Sequence, residues 1–347
     1  MRPTMHPDNL IELAALRLNL APVPVGEAMF GMALARSVMA GVRLGVFASL
    51  CERPATSGEL AERLGLDPHG TRLLLEALRS LGHVNLREDR YEIDSGARRW
   101  LDPRNESTYV GTFIENNFDY WQWWDRLEDI VRTGGSVEIH GFDARDTHWE
   151  RYIRGQYELA RLSAPEVAKA LDLGKDPRRL LDVAGGHGWF SAELCRKYPQ
   201  LHSTVVDLPG SAAIGRRIIA ENDMGERVFF MEGDAFEADL GGPYDGALVF
   251  NLIHHFPPER NVELFKRIAK VLKPGGKLAV LDLFTKQKPD AGALLGLFFY
   301  LTSEAATYSP QDLQSWFDQA GFKKPKRVKI RRIPNQTLYV AALVAHS

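Results

Sequence analysis

Three acids and a pair of histidines, each closing or following an apolar run, are the residues best suited to chemistry. Asp182 lies in Leu180-Leu181-Asp182-Val183-Ala184, which reads as a short buried strand. The turn Gly185-Gly186-His187-Gly188 follows, then a helix predicted to reach about Tyr198. Such a turn lets a ligand approach the backbone, and the helix start adds unpaired N–H donors. Asp207, twenty-five residues on, closes the run Ser203-Thr204-Val205-Val206-Asp207-Leu208. A carboxylate there can accept hydrogen bonds from both ribose hydroxyls of a nucleotide-like cofactor. Asp234, in Gly233-Asp234-Ala235-Phe236, follows a third run. It suits the exocyclic amine of adenine, with Ala235 or Phe236 packed on the ring; helix capping is its plain alternative. Asn251, His254 and His255 stand in Phe250-Asn251-Leu252-Ile253-His254-His255-Phe256-Pro257-Pro258-Glu259, at the ligand edge of a fourth strand. With an ordinary pKa of about 6.5, either histidine can take the proton of a phenol, whose own pKa is about 10. Asn251 is assigned to the cofactor side.

The elements that must position these groups alternate strand and helix from Leu180 onward, which predicts a mainly parallel sheet with helices on both faces. Further strands are expected near Val228–Phe230, Gly246–Phe250, Lys277–Leu283, Val328–Ile333 and Thr337–Val344. Only Pro334-Asn335-Gln336 separates the last two, so they should close the sheet as an antiparallel hairpin. That hairpin, and Ser191 where a dinucleotide motif wants its third glycine, favour S-adenosyl-L-methionine over a nicotinamide cofactor.

Upstream, a helix from about Asp8 to Leu20, capped by Asp8, is expected to break at Pro22 and Pro24, with a nearly all-apolar helix over Gly26–Leu44. Thr56 and Glu59 form a capping box, and Asp67-Pro68 starts a leucine-rich helix that stops at Gly82. Two short strands around Glu88-Asp89-Arg90 complete a winged-helix order of elements. Its basic residues are few and matched by acids, so packing or dimerisation is preferred to DNA binding. Residues from about Thr108 to Leu173 read as helical and aromatic-rich; Trp124 and Tyr152 are candidates to face a flat substrate. The expected division is a dimerisation domain over 1–105 and a helical connector with a cofactor-binding domain over 106–347.

The 347 residues are 45% hydrophobic and carry a net charge of −2, which gives no general attraction to nucleic acid or anionic membranes. Cys51 and Cys195 are the only cysteines, with no disulfide or zinc spacing, so a reducing cytoplasm and no metal are expected. The start, MRPTMHPDNLIE, lacks a signal peptide's apolar run, and Ala291–Leu301 is too short to span a bilayer.

In this order and spacing, the motifs resemble those of the S-adenosylmethionine-dependent O-methyltransferases of the caffeate, hydroxyindole and bacterial polyketide type. Asp182–Gly188 resembles that family's cofactor loop, with Ala184 in place of a usual glycine. Val206-Asp207-Leu208-Pro209 resembles its ribose stretch, and Gly233–Phe236 its adenine side. His254-His255-Phe256 resembles its His-Asp-Trp. The resemblance implies a Rossmann-like seven-stranded α/β domain, a homodimer, and a small hydroxylated aromatic or polyketide-like substrate. It implies that His254 is the base and that Asp282 flanks it. The second flanking acid has no direct match, and Glu304 is the nearest. Alternatives are a cofactor-binding decarboxylase or hydroxylase, a small-molecule-sensing DNA-binding regulator, and methylation at N or C.

Overall fold

The structure is a computed structural model that describes residues 9–139, 141–285, 291–331 and 336–344. The chain divides into two compact units, Met1–Phe118 and Asp119–Ser347.

In the first unit, helix Leu10–Arg17 is capped by Asn9, whose side chain accepts from the Glu12 N–H. Asn9 thus holds the position expected for Asp8, which lies outside the described residues. The next helix runs over Val23–Arg43 and takes Pro24 into its first turn, instead of starting beyond it. The correction has a simple cause: a first-turn residue has no intrahelical acceptor for its N–H, so proline costs nothing there. The capping box of Thr56 and Glu59 is present on helix Ser57–Leu64, and Asp67 caps helix Pro68–Ser80. Strands β1 (Val84–Arg87) and β2 (Arg90–Ile93) pair antiparallel. Phe47, Leu50, Leu60, Leu75, Leu78 and Val84 form the core of this unit, together with the buried Cys51. Arg79, Arg87 and Arg90 each pair with a glutamate.

The second unit is built on seven strands: β3 (Arg179–Val183), β4 (His202–Asp207), β5 (Val228–Glu232), β6 (Tyr244–Phe250), β7 (Leu272–Leu283), β8 (Lys326–Val328) and β9 (Gln336–Ala342). Their order across the sheet is β5-β4-β3-β6-β7-β9-β8. The first five are parallel, and β9 runs antiparallel to both β7 and β8. The terminal hairpin is therefore present. Its first strand ends at Val328, not Ile333, because Val328 meets Leu338 in register; Ile333 lies outside the described residues.

The chain steps from β3 outward to β5 and then returns to β6 on the other side of β3. Ligands of open α/β sheets bind at such a reversal, beyond the carboxyl ends of the strands. Ala184, Asp207, Asn251 and Asp282 all lie at that edge. Both sheet faces are covered, one by a core around Leu181, Val249, Phe265 and Phe317, the other around Ala164, Leu194, Val205 and Leu248. Cys195 is fully buried in the second core. Burial pushes the thiols of Cys51 and Cys195 up to about 11.

Candidate active site

The loop after β3 is shaped by positive φ at three residues: Ala184 (53°), Gly186 (53°) and Gly188 (67°). Glycine accepts this conformation freely and alanine does not, so Ala184 holds strained backbone at the strand end. The Asp182 side chain is buried beneath the loop and accepts from Ser191 Oγ at 2.6 Å. Desolvation pushes its carboxyl up to about 7. Gly215, on helix Pro209–Glu221, is buried where a Cβ would run into the carbonyl oxygen of Gly186 and the ring of Phe230. The helix and the loop can pack this closely only because that Cβ is missing.

Asp207 terminates β4 and receives the N–H of Gly186 at one oxygen and that of Leu208 at the other, both at 2.7 Å. Burial raises its carboxyl to about 6 against those hydrogen bonds. Ser211, in the first turn of the next helix, is buried beside Asp207, and its hydroxyl also favours the charged form of that carboxyl. A Cβ on Gly186 would sit 4.0 Å from both Ser211 Oγ and Asp207 Oδ2. The Cα of Gly186 is thus faced by a carboxylate and a hydroxyl, with Ile153 Cδ1 at 3.6 Å from the same Cβ position, polar groups of the kind that suit the hydroxyls of a ribose. Tyr152 lies close enough for the Asp207 charge, after burial, to raise its phenol further above the usual range.

Sequence reasoning did not anticipate the role of His187. Its Nδ1 accepts the Trp189 N–H at 2.9 Å, so the ring proton sits on Nε2. Burial lowers its pKa to about 3, which keeps the ring neutral and leaves it as a capping acceptor at the helix start.

At the end of β6, the turn Ile253–His255 carries the histidine pair. His254 Nδ1 lies 2.7 Å from Asp282 Oδ1, and both residues are buried. Opposite a carboxylate, Nδ1 is the donor, so the Nε2 lone pair is free to accept a proton. Asp282 Oδ1 also accepts the Leu283 N–H at 2.7 Å, whereas Oδ2 is buried with no hydrogen-bond partner. The ring of Phe299 stacks on His254, with centroids 3.8 Å apart. His255 is held differently, with its Nδ1 3.0 Å from Ser303 Oγ.

Glu304 does not join this group. It is exposed, at a left-handed backbone position (φ 52°), and its side chain makes no hydrogen bond or ion pair among the described residues. Helix Ala291–Ser303 ends just before it and brings Phe299 and Ser303 to the histidines.

On the adenine side, Asp234 is exposed and caps a local turn, with Oδ1 accepting the Phe236 N–H at 2.7 Å. Its second oxygen accepts no hydrogen bond among the described residues. Phe236 is buried, with the Arg260 guanidinium 3.7 Å over its ring and Phe256 edge-on at 4.9 Å. Ala235 packs on the core beside it. Asn251, at φ 53°, bonds its N–H to Leu281 O, and its side-chain oxygen accepts from Gln336 at the start of β9.

A family profile described as the O-methyltransferase domain matches residues 124–323, and a second, the O-methyltransferase dimerisation domain, matches residues 27–102. The chain belongs to the O-methyltransferase family. Among its relatives, the tetracenomycin polyketide synthesis 8-O-methyl transferase of Streptomyces glaucescens is 31% identical over 298 residues, covering 83% of this chain and 87% of that one. The 3-hydroxy-5-methyl-1-naphthoate 3-O-methyltransferase of Streptomyces sahachiroi is 26% identical over 317 residues, covering 89% and 91%. The fold of this O-methyltransferase is similar to the crystal structure of human N-acetylserotonin methyltransferase in complex with SAM. The TM-score is 0.83 at 21% identity, over 98% of this chain and 100% of that one.

Proposed function

We propose that this O-methyltransferase methylates a hydroxyl group of a small aromatic, polyketide-like molecule, using S-adenosylmethionine and His254 as general base. S-adenosylmethionine, when bound, supplies a methyl group on a sulfonium, whose carbon accepts an oxygen nucleophile while the sulfur keeps the bonding pair. The loop from Asp182 through Gly185, Gly186 and Gly188 gives backbone access for the cofactor. Asp207 and Leu208 serve its ribose side, Asp234, Ala235 and Phe236 its adenine side, and Asn251 completes the edge. The convergence of the Asp207 carboxylate and the Ser211 hydroxyl on Gly186 supports this reading.

The acceptor's hydroxyl proton passes to His254 Nε2, and Asp282 stabilises the charge that arrives on the ring. The observation that carries the reading is the 2.7 Å pair of His254 and Asp282, on the same strand edge as Asp207 and the glycine loop. The dimerisation match supports a homodimer formed through the N-terminal residues. It lies within a pairing domain over 1–105, ahead of a helical connector and cofactor-binding domain over 106–347, although the chain's compact units divide later, between Phe118 and Asp119.

His254→Gln should lower turnover of a hydroxylated naphthoate by about 10²–10⁴-fold, the range for general-base removal. Calorimetric affinity for S-adenosylhomocysteine should stay within about twofold, since the base acts on the acceptor and not on the cofactor. Turnover at the wild-type rate would remove His254 as the base; product analysis would reveal methylation at N or C.

A further inference from the structure

We propose that Phe299 is a positioning residue for His254: its ring sets the plane of the imidazole and stabilises the imidazolium form. The inference rests on the reading of His254 as proton acceptor. Helix Ala291–Ser303 brings Phe299 onto the turn Ile253–His255, and the two rings lie 3.8 Å apart with planes 16° from parallel. Phe299 is 7% exposed and His254 6%, so no water layer separates them.

A single hydrogen bond from Nδ1 to Asp282 leaves the imidazole free to pivot about the line joining the two atoms. A flat ring against one face removes that freedom, and together the two contacts aim Nε2. The face of a phenyl ring is electron-rich, so the same stack favours the cationic over the neutral imidazole. Phe298, one residue back and about 100° around the helix, packs instead with Tyr120 at 4.9 Å and Trp123 at 6.2 Å. That anchorage fixes the helix rotation that presents Phe299 to the imidazole.

The ionisable surroundings are few. Asp282 lies on β7, whose lysines pair away from the site, Lys273 with Asp245 and Lys277 with Asp172. His255 is 4.3 Å away, ring to ring. The helix itself carries no Asp, Glu, Lys, Arg or His, its Tyr300 packs in a cluster with Trp123 and Leu301, and Glu304 beyond it is exposed. Phe299 is therefore the side chain of that helix able to tune His254.

The test is an NMR titration of His254 in the full-length protein with S-adenosylhomocysteine. Phe299→Leu should lower the His254 pKa by about half a unit to one unit, the worth of a cation–π contact. It should also broaden the Nδ1–H resonance shared with Asp282. Phe299→Tyr, which keeps the ring, should titrate as wild type. Pentafluorophenylalanine at position 299 keeps the shape and reverses the charge of the ring face; it should lower the pKa at least as far, and it decides the matter where the leucine variant does not fold. A wild-type midpoint and an unchanged Nδ1–H resonance in either substituted protein would overturn the proposal. The readout needs no turnover, so loss of the base reading through His254→Gln and loss of this proposal are separate results.

Discussion

At the scale of single residues, burial controls the ionisation of Asp182, His187 and Asp207 around the glycine-rich loop. Asp182 binds its proton more tightly in the folded protein, at about 7, than at the ordinary 3.8. Its contribution to stability is therefore full below about pH 3.8 and is lost as pH rises through about 7. In Asp182→Asn the Ser191 hydrogen bond can persist without the charge. The melting temperature of the variant relative to wild type should thus climb from pH 5 to pH 8; a flat difference across that range, measured by thermal denaturation, would count against it. His187 titrates in the opposite sense but is common to both proteins and cancels. The places of Asp182, Asp207 and His254 along the strands and their carboxyl-end turns were legible in the sequence because each closes or follows an apolar run. Ser191, Ser211 and Phe299 were not: nothing in a serine or phenylalanine on a helix indicates which neighbour it will touch.

At the scale of elements, close approach is what places the loop. Gly215→Ala would gain helix propensity worth up to about 1 kcal/mol. It would also force a methyl against the Gly186 carbonyl, an overpacking cost of about 1–3 kcal/mol. The expected result is a lower melting temperature and weaker S-adenosylhomocysteine binding by calorimetry; a more stable variant with intact affinity would mean that loop and helix adjust freely. The capping boxes, the leucine-rich helix and the parallel strands could be read from local signals, because each is fixed by residues within a few positions. Pro24 and the end of β8 could not. A proline permits both a break and a helix start, and strand ends depend on the partner's register. The exposure of Glu304 could not be read either: proximity in sequence to a helix end does not say which way the chain leaves it.

At the scale of the whole molecule, the helix Val23–Arg43 has the length and apolarity to cross a bilayer by composition alone. Most of it falls within residues 27–102, which match the O-methyltransferase dimerisation domain. Met29, Phe30, Met32 and Leu34 are all exposed in the single chain, Phe30 at 58%. Sedimentation at micromolar concentration should find wild type as a dimer and Phe30→Glu shifted toward monomer, since burying an unpaired carboxylate in an apolar contact is costly. A variant that stays fully dimeric would place the contact elsewhere. No sequence feature specified the acceptor, because the residues that would shape its site come from segments far apart in the chain.

The two buried thiols described earlier supply an internal clock. Cys51 lies in the core of the first unit and Cys195 in the core of the second, and at neutral pH neither presents a thiolate to solvent. An alkylating reagent can reach each sulfur only when its own unit opens. Mass-resolved labelling rates at the two positions therefore report the lifetimes of the two cores separately, in one unmodified protein and without any engineered probe.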